Sequence, residues 1–296
     1  MTRQLLLLFA IGLLPLRAEA ADEVVRRVGR VTIRVDLSSA FPGGVAVVRL
    51  TGTRLGGAWA LLDGRRAPFY PERGVPRALV PIDASTEAGP ATLGIEIAAR
   101  RGAQRIAVPV QIASRSYPSR AVYLDEPRRA LLARSEAPRD ARRLLGHVRT
   151  ESRTPAPGPL AAPVAGGGRG FGELRTHTGF ADAESRIDGL GGHRHRGLDY
   201  SLPIGTAVRS PGAGTVLFAG PLVLSGETVV IDHGQGVVSV LQHLSRVLVR
   251  AGDAVASGAE VGASGDTGLA PEPMLQWRVY LHGVAVDPTV LGPILG

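Results

Sequence analysis

The stretch "HRGLDYSLPIGTAVRSPGAGTVLFAG", residues 195–220, decides the fold of the second half of this chain. Its apolar runs are short and end at Gly or Pro, a pattern typical of brief strands joined by tight turns. His195 and Asp199 stand four residues apart near its start. An imidazole and a carboxylate at this spacing can be two ligands of one zinc ion, although most such pairs are hydrogen-bonded surface residues.

The same pattern continues almost to the last residue, in "TVVIDHGQGVVSVLQHLS" (228–245), "VRAGDAVASGAEVGASGDTG" (249–268) and "VYLHGVAVDP" (279–288). Together these motifs closely resemble the LytM/lysostaphin-type peptidoglycan endopeptidases, zinc peptidase family M23. The resemblance runs from residue 171 to about residue 290. It implies an antiparallel β domain with a duplicated hybrid motif over 171–296, Zn²⁺ as cofactor and peptidoglycan as partner.

The resemblance assigns roles to three residues. His195 and Asp199 occupy the first two zinc-ligand positions. His243, in "QHLS", matches the catalytic His that polarises the water or stabilises the oxyanion. Several further positions match turn residues of the family, where a positive φ or a close backbone approach is expected: Gly252, Asp253, Gly258, Gly262, Gly265 and Gly268.

The chain departs from the family at the motif that ends the site. The family has His-x-His after a Pro, where the first His assists catalysis and the second is the third zinc ligand. Met274 and Gln276, in "PMLQW", stand at those positions. A thioether takes no proton, and an amide oxygen suits Ca²⁺ or Mg²⁺ better than zinc. The resemblance therefore predicts a degenerate site that binds zinc weakly or not at all.

The replaced residues lie on one face of a predicted strand. Side chains alternate across a strand, so the apolar residues Leu275, Trp277, Val279 and Leu281 share one face. Met274, Gln276, Arg278 and Tyr280 share the other, which would meet the metal. This parity predicts that the fold is retained while the chemistry changes.

Another His could complete the metal site. His193 and His177 lie in or near a Gly-rich loop and could reach it. His282 is expected at the far end of its strand, and His233 is expected only to support a turn.

The first 20 residues, "MTRQLLLLFAIGLLPLRAEA", predict a secretory signal peptide cleaved after Ala20. A membrane anchor is the alternative, but the apolar run is shorter than the ~20 residues that a spanning helix needs. The sequence thus predicts an exported protein of the periplasm or cell envelope without a stable membrane span. It has no Cys, so disulfides are excluded.

Residues 22–114 alternate in the two-residue rhythm of strands, with an Asp63-Gly64 hairpin turn, and predict an immunoglobulin-like β-sandwich. Residues 115–170 are predicted to hold a helical segment, with a break at Pro138, and a Pro/Gly-rich linker. The predicted fold is therefore mostly β, with a peptidase-like domain over 171–296.

The net charge is +8, with the basic residues concentrated in the first half. A basic front half could contact anionic envelope polymers. Nucleic acid is not expected as a partner, because no basic and aromatic residues interleave.

Three functional hypotheses remain open at the level of sequence. In the first, the degenerate domain binds peptidoglycan or regulates a cell-wall amidase without cutting. In the second, it is an active zinc metalloendopeptidase that cleaves peptidoglycan cross-links, completed by Gln276 or a loop His. In the third, it is a structural envelope protein whose activity lies in the front domain. The missing ligands favour the first.

Overall fold

A computed structural model describes residues 22–53, 57–99, 102–152, 158–178 and 193–295 of the chain. The predicted signal peptide and most of the Gly-rich loop before His195 lie outside the described residues. No helix among the described residues has the length and hydropathy needed to cross a membrane.

Nine strands form the front of the molecule, and all of their pairings are antiparallel. They are β1 (Glu23–Val28), β2 (Val31–Asp36), β3 (Val45–Thr51), β4 (Ala58–Leu62), β5 (Arg65–Pro68), β6 (Tyr70–Glu72), β7 (Val75–Pro81), β8 (Gly89–Ala99) and β9 (Gly102–Ile112). One sheet has the order β1-β2-β3-β7-β6 and the other β5-β4-β8-β9.

The core of this front unit comes from alternate residues of its strands, such as Ile33 and Val35 in β2 and Ile106 and Val108 in β9, all of them buried. The hairpin prediction is confirmed, because β4 and β5 are joined by Asp63 (φ 50°) and Gly64 (φ 74°) alone. Two consecutive positive φ values match the twist of adjacent antiparallel strands. The immunoglobulin-like detail stays a prediction.

A strand and two helices follow: β10 (Ser119–Tyr123), α1 (Glu126–Leu132) and α2 (Ala137–Val148). Asp125 caps α1 by accepting a hydrogen bond from the Arg128 backbone N–H at 3.0 Å. Pro127 and Pro138 each lie in the first turn of their helix. Proline is tolerated there because those N–H groups have no partner within the helix.

The remaining strands are β11 (Leu174–Thr178), β12 (His193–Arg194), β13 (Leu198–Ser201), β14 (Ala207–Arg209), β15 (Gly214–Leu222), β16 (Gly226–Gly234), β17 (Val237–Val247), β18 (Ala254–Val255), β19 (Glu260–Ser264), β20 (Met274–Leu281) and β21 (Val284–Val286), followed by helix α3 (Pro288–Ile294). Nine of these strands form one sheet whose main path is β13-β20-β17-β16-β15-β18. The predicted mostly β fold is confirmed.

The predicted linker is more closely integrated than its composition suggests. β10 pairs in parallel with β11, and Leu160 and Val164 are buried in the core of the large sheet. Val45 and Leu79 of the front unit belong to the same core cluster. The boundaries 22–114, 115–170 and 171–296 stay predictions, but the segment between them packs as part of the structure.

Asp287 is a polar link between the front unit and the large sheet. Its Oδ1 accepts hydrogen bonds from the backbone N–H (3.0 Å) and hydroxyl (2.7 Å) of Thr289. Asp287 is therefore the N-cap of α3. Its Oδ2 lies 3.4 Å from an Arg115 amino group, and its backbone N–H donates to the Gly43 carbonyl at 2.8 Å.

We expect Asp287→Ala to lower the free energy of unfolding by about 1–3 kcal/mol, because it removes the helix cap and the buried partner of Arg115. Asp287→Asn keeps an oxygen that can cap α3 and should lose less. Urea unfolding of the full chain followed by circular dichroism measures both losses. Equal stability of Asp287→Ala and the parent chain would contradict this account.

Candidate functional site

Strand β20 carries the residues of the candidate site, because it lies between β13 and β17. In this register Gln276 is opposite Asp199 on one side and Gln242 on the other. One face of β20 is packed in the core: Leu275, Trp277, Val279 and Leu281. The other face lines a cavity of about 370 Å³: Met274, Gln276, Arg278 and Tyr280. The geometry thus agrees with the predicted division of the strand.

A chain of hydrogen bonds connects four side chains at this cavity. His195 Nε2 lies 3.1 Å from Asp199 Oδ1, and both residues are buried. Gln276 Nε2 donates to the same oxygen at 3.0 Å, and Arg278 Nε donates to Gln276 Oε1 at 2.8 Å. Because an arginine N–H can only donate, the amide atom that faces Arg278 must be the oxygen.

His243 faces the same cavity from β17. Its left-handed φ of 65° occurs where the pairing of β17 with β16 shifts register, as at a β-bulge. Nδ1 lies 2.8 Å from the Thr267 carbonyl and must be its protonated nitrogen, which leaves Nε2 as an acceptor. Burial lowers the pKa of His243 to about 4, so the ring is neutral at physiological pH.

The turn that holds Thr267 depends on two glycines of the matched motif. A Cβ on Gly265 would collide with the Ser245 backbone, and one on Gly268 would collide with the Gly226 backbone. Gly268 also has a φ of 67°. The close approach and the positive φ expected at these positions are both present.

Comparison with known proteins identifies this region. Residues 193–288 match the model of peptidase family M23. These residues form an M23 peptidase domain. An uncharacterized metalloprotease of Buchnera aphidicola is 35% identical over 94 residues, which are 32% of this chain and 25% of that protein. The peptidoglycan DD-endopeptidase ShyA of Vibrio cholerae is 37% identical over 93 residues, 31% of this chain and 22% of ShyA.

The matched stretch therefore spans a quarter or less of these curated relatives. A crystal structure from Pseudomonas aeruginosa, described as a candidate M23 peptidase, is similar over a greater length. It is 29% identical, covers 86% of this chain and 96% of its own, and gives a TM-score of 0.62. The shared architecture thus extends beyond the M23 domain to the front of the molecule.

The family is zinc-dependent, but the side chains that the structure describes do not supply three zinc ligands. His195 and Asp199 are adjacent, yet the third position is Gln276, whose amide nitrogen faces Asp199 and whose oxygen is bonded to Arg278. An amide nitrogen is a donor and cannot ligate a cation. Within the described part of the chain, no three His, Cys, Asp or Glu side chains are grouped to hold a metal ion.

The structure gives the Gln276 oxygen a partner that the sequence did not predict. The sequence identified a neutral, hard oxygen better suited to Ca²⁺ or Mg²⁺ than to zinc, and in the structure this oxygen accepts the hydrogen bond from Arg278. Met274 is buried on the cavity wall and offers only its thioether, as expected.

Of the four other histidines that the sequence analysis considered, two have side chains that the structure describes. His233 supports its turn through the Ala213 carbonyl (2.9 Å) and the Ser239 hydroxyl (2.8 Å), as expected. His282 lies at the β20–β21 turn, 3.3 Å from Glu151, away from the site.

The structure places the backbones of His177 in β11 and His193 in β12, but their side chains lie outside its description. Rescue of the metal site by either of them stays a hypothesis.

Sequence reasoning missed Gln242, and it predicted a helical segment where α2 lies without predicting that this helix lines the cavity. Gln242 is buried beside His243 and lines the cavity, and Leu144 and Leu145 of α2 line it from the opposite wall. Asp140 of α2 anchors the helix by accepting a hydrogen bond from the Val223 backbone N–H at 2.9 Å. The position of Gln242 next to a matched His was the only sequence feature that pointed to it.

We expect Gln276→Leu to lower the free energy of unfolding by about 1–3 kcal/mol, because Asp199 loses a donor and Arg278 loses its acceptor in a buried place. Met274→Leu, two residues earlier on the same face, is the matched control and should cost less than about 1.5 kcal/mol. Chemical denaturation of both variants measures the difference. A Gln276→Leu protein as stable as the control would show that the hydrogen-bond chain contributes nothing.

Proposed function

We propose that the M23 domain of this chain binds peptidoglycan without cleaving it. The observation that supports this most directly is the hydrogen-bonding of Gln276, because both of its amide atoms are engaged where the family has a zinc-ligating imidazole. A hydrolytic zinc needs three protein ligands and an open position for water. Similar proteins named peptidoglycan DD-endopeptidases suggest the polymer that the groove would bind.

The second candidate is an active zinc endopeptidase. It is favoured by the proximity of His195 and His243, which line one cavity although 48 positions of sequence separate them, and by the contact of Asp199 with His195. A side chain outside the described residues, His177 or His193, would have to supply the third ligand. Arg278 opposes this candidate, since a guanidinium beside the site repels a divalent cation.

Export and regulation belong to the same proposal. The leader-like first 20 residues and the peptidoglycan-directed relatives support a location in the periplasm or cell envelope. A domain that holds the polymer without hydrolysing it could position a cell-wall amidase, and the basic front half could contact anionic envelope polymers.

The purified chain, dialysed against buffer after exposure to zinc, should retain far less than one zinc per molecule. It should sediment with purified peptidoglycan equally well with and without EDTA and release no fragments from it, because binding does not use the metal. Metal analysis, a pelleting assay and chromatography of the supernatant measure the three results. One zinc per chain that is lost in His195→Ala, together with released cross-link peptides, would establish the second candidate instead.

The double variant Met274→His with Gln276→His should raise zinc occupancy, because Gln276 lies 3.0 Å from Asp199 and an imidazole there would join the two remaining ligands. Adding Arg278→Met should raise it further by removing the adjacent positive charge. Met274→Leu with Gln276→Asn is the matched control and should remain at the parent level. Equal occupancy in all four proteins would mean that the groove no longer has the geometry of a zinc site.

A further inference from the structure

The cavity beside Gln276 is lined by both polar and apolar side chains. Arg278, Gln242 and His243 are polar and lie on the large sheet. The apolar lining comes from helix α2 and from leucines of the large-sheet unit: Ala137, Ala141, Leu144, Leu145, Leu222, Leu224 and Leu269. A volume of about 370 Å³ suits a ligand of two or three small amino-acid residues.

Arg278 brings a positive charge to this cavity, and no described residue forms an ion pair with it. Its Nε is bonded to Gln276, and its terminal amino groups have no hydrogen bond or ion pair with the described residues. The nearby Asp199 accepts from Gln276 and lies next to His195, while Asp140 of α2 accepts from the Val223 backbone. A fixed guanidinium in a partly enclosed site is suited to bind a carboxylate with two parallel hydrogen bonds.

Gln242 supplies the complementary acceptor. Its side chain is only 1% exposed, and its Oε1 has no hydrogen-bond partner among the described residues. An unpaired buried carbonyl costs about 1–3 kcal/mol, which a ligand N–H would recover. The free Nε2 of His243 is a second acceptor on the same wall.

We infer that this cavity binds the carboxyl terminus of a short peptide with small apolar side chains. The terminal carboxylate pairs with the free amino groups of Arg278, and a peptide N–H donates to Gln242 Oε1. The side chains pack against the apolar residues of α2. The inference rests on the proposed function, because it assigns to Arg278 the cationic role that zinc has in hydrolytic relatives, and it names the ligand that the non-cleaving domain would hold.

Isothermal titration of the full chain in EDTA with N-acetyl-dialanine tests the inference, using the all-L and all-D forms and the C-terminal amide of each. For at least one form the free acid should bind at least about ten times more tightly than its amide, since only the acid pairs with Arg278. Free alanine, which lacks the acyl peptide N–H, should bind more weakly than the dipeptide.

Arg278→Gln should abolish the preference for the acid, and Arg278→Lys should retain part of it, because a lysine keeps the charge but not the two parallel bonds. Gln242→Leu should weaken the binding of the acid and the binding of the amide by similar factors. Arg246→Gln removes one positive charge from the exposed end of β17, away from the cavity, and should bind like the parent. Thermal melting of each variant establishes that it is folded.

Equal binding of acid and amide, no binding of either, or an unchanged preference in Arg278→Gln would overturn the inference. These outcomes differ from those that would refute the proposed function. The latter are stoichiometric zinc binding and the release of peptidoglycan fragments in the absence of EDTA. A protein that prefers the acid in EDTA yet cleaves peptidoglycan with zinc would retain the ligand site and refute the non-cleaving role.

Discussion

The central position of strand β20 constrains the whole candidate site. Because β13 and β17 hydrogen-bond to its two edges, each of its side chains must point either to the core or to the cavity. Burial of Leu275 and Trp277 contributes about 1.5–3 kcal/mol each and fixes the register. A shift of one residue would bury Gln276 and Arg278 in the core, so the strand cannot slide. The cavity face can therefore change its chemistry while the fold persists.

The features that could be predicted from the sequence follow from local rules. The turn at Asp63-Gly64 and the alternation along β20 depend only on neighbouring residues. The meeting of His195 and Asp199 is also local, since the two residues are only four positions apart in the sequence. The M23 resemblance brought His243 to the same place, which alternation alone could not do.

The unpredicted features depend on contacts between distant segments. The sequence places Gln276 and Arg278 on one face, but the acceptor for the amide nitrogen of Gln276 is Asp199, 77 positions away. Helix α2 has an apolar side in the sequence, yet nothing local shows that Leu144 packs by the sheet and lines the cavity. Composition also suggested a loose linker after α2, whereas the burial of Leu160 arises only from the folded sheet.

The contact between His195 and Asp199 has a physical explanation that needs no metal. A buried carboxylate is costly unless donors surround it, and Asp199 has a hydrogen bond from Gln276 and the imidazole of His195 beside it. Removal of His195 would leave that charge with less compensation, so both residues stabilise the strand pair even where no cation binds. Gln276 then does for Asp199 what a cation does in a hydrolytic site, and Arg278, whose Nε holds the amide in place, leaves its positive charge facing the cavity. On the proposed function, the same chain of hydrogen bonds that satisfies the buried carboxylate also changes the site from one that binds a cation to one that binds an anion.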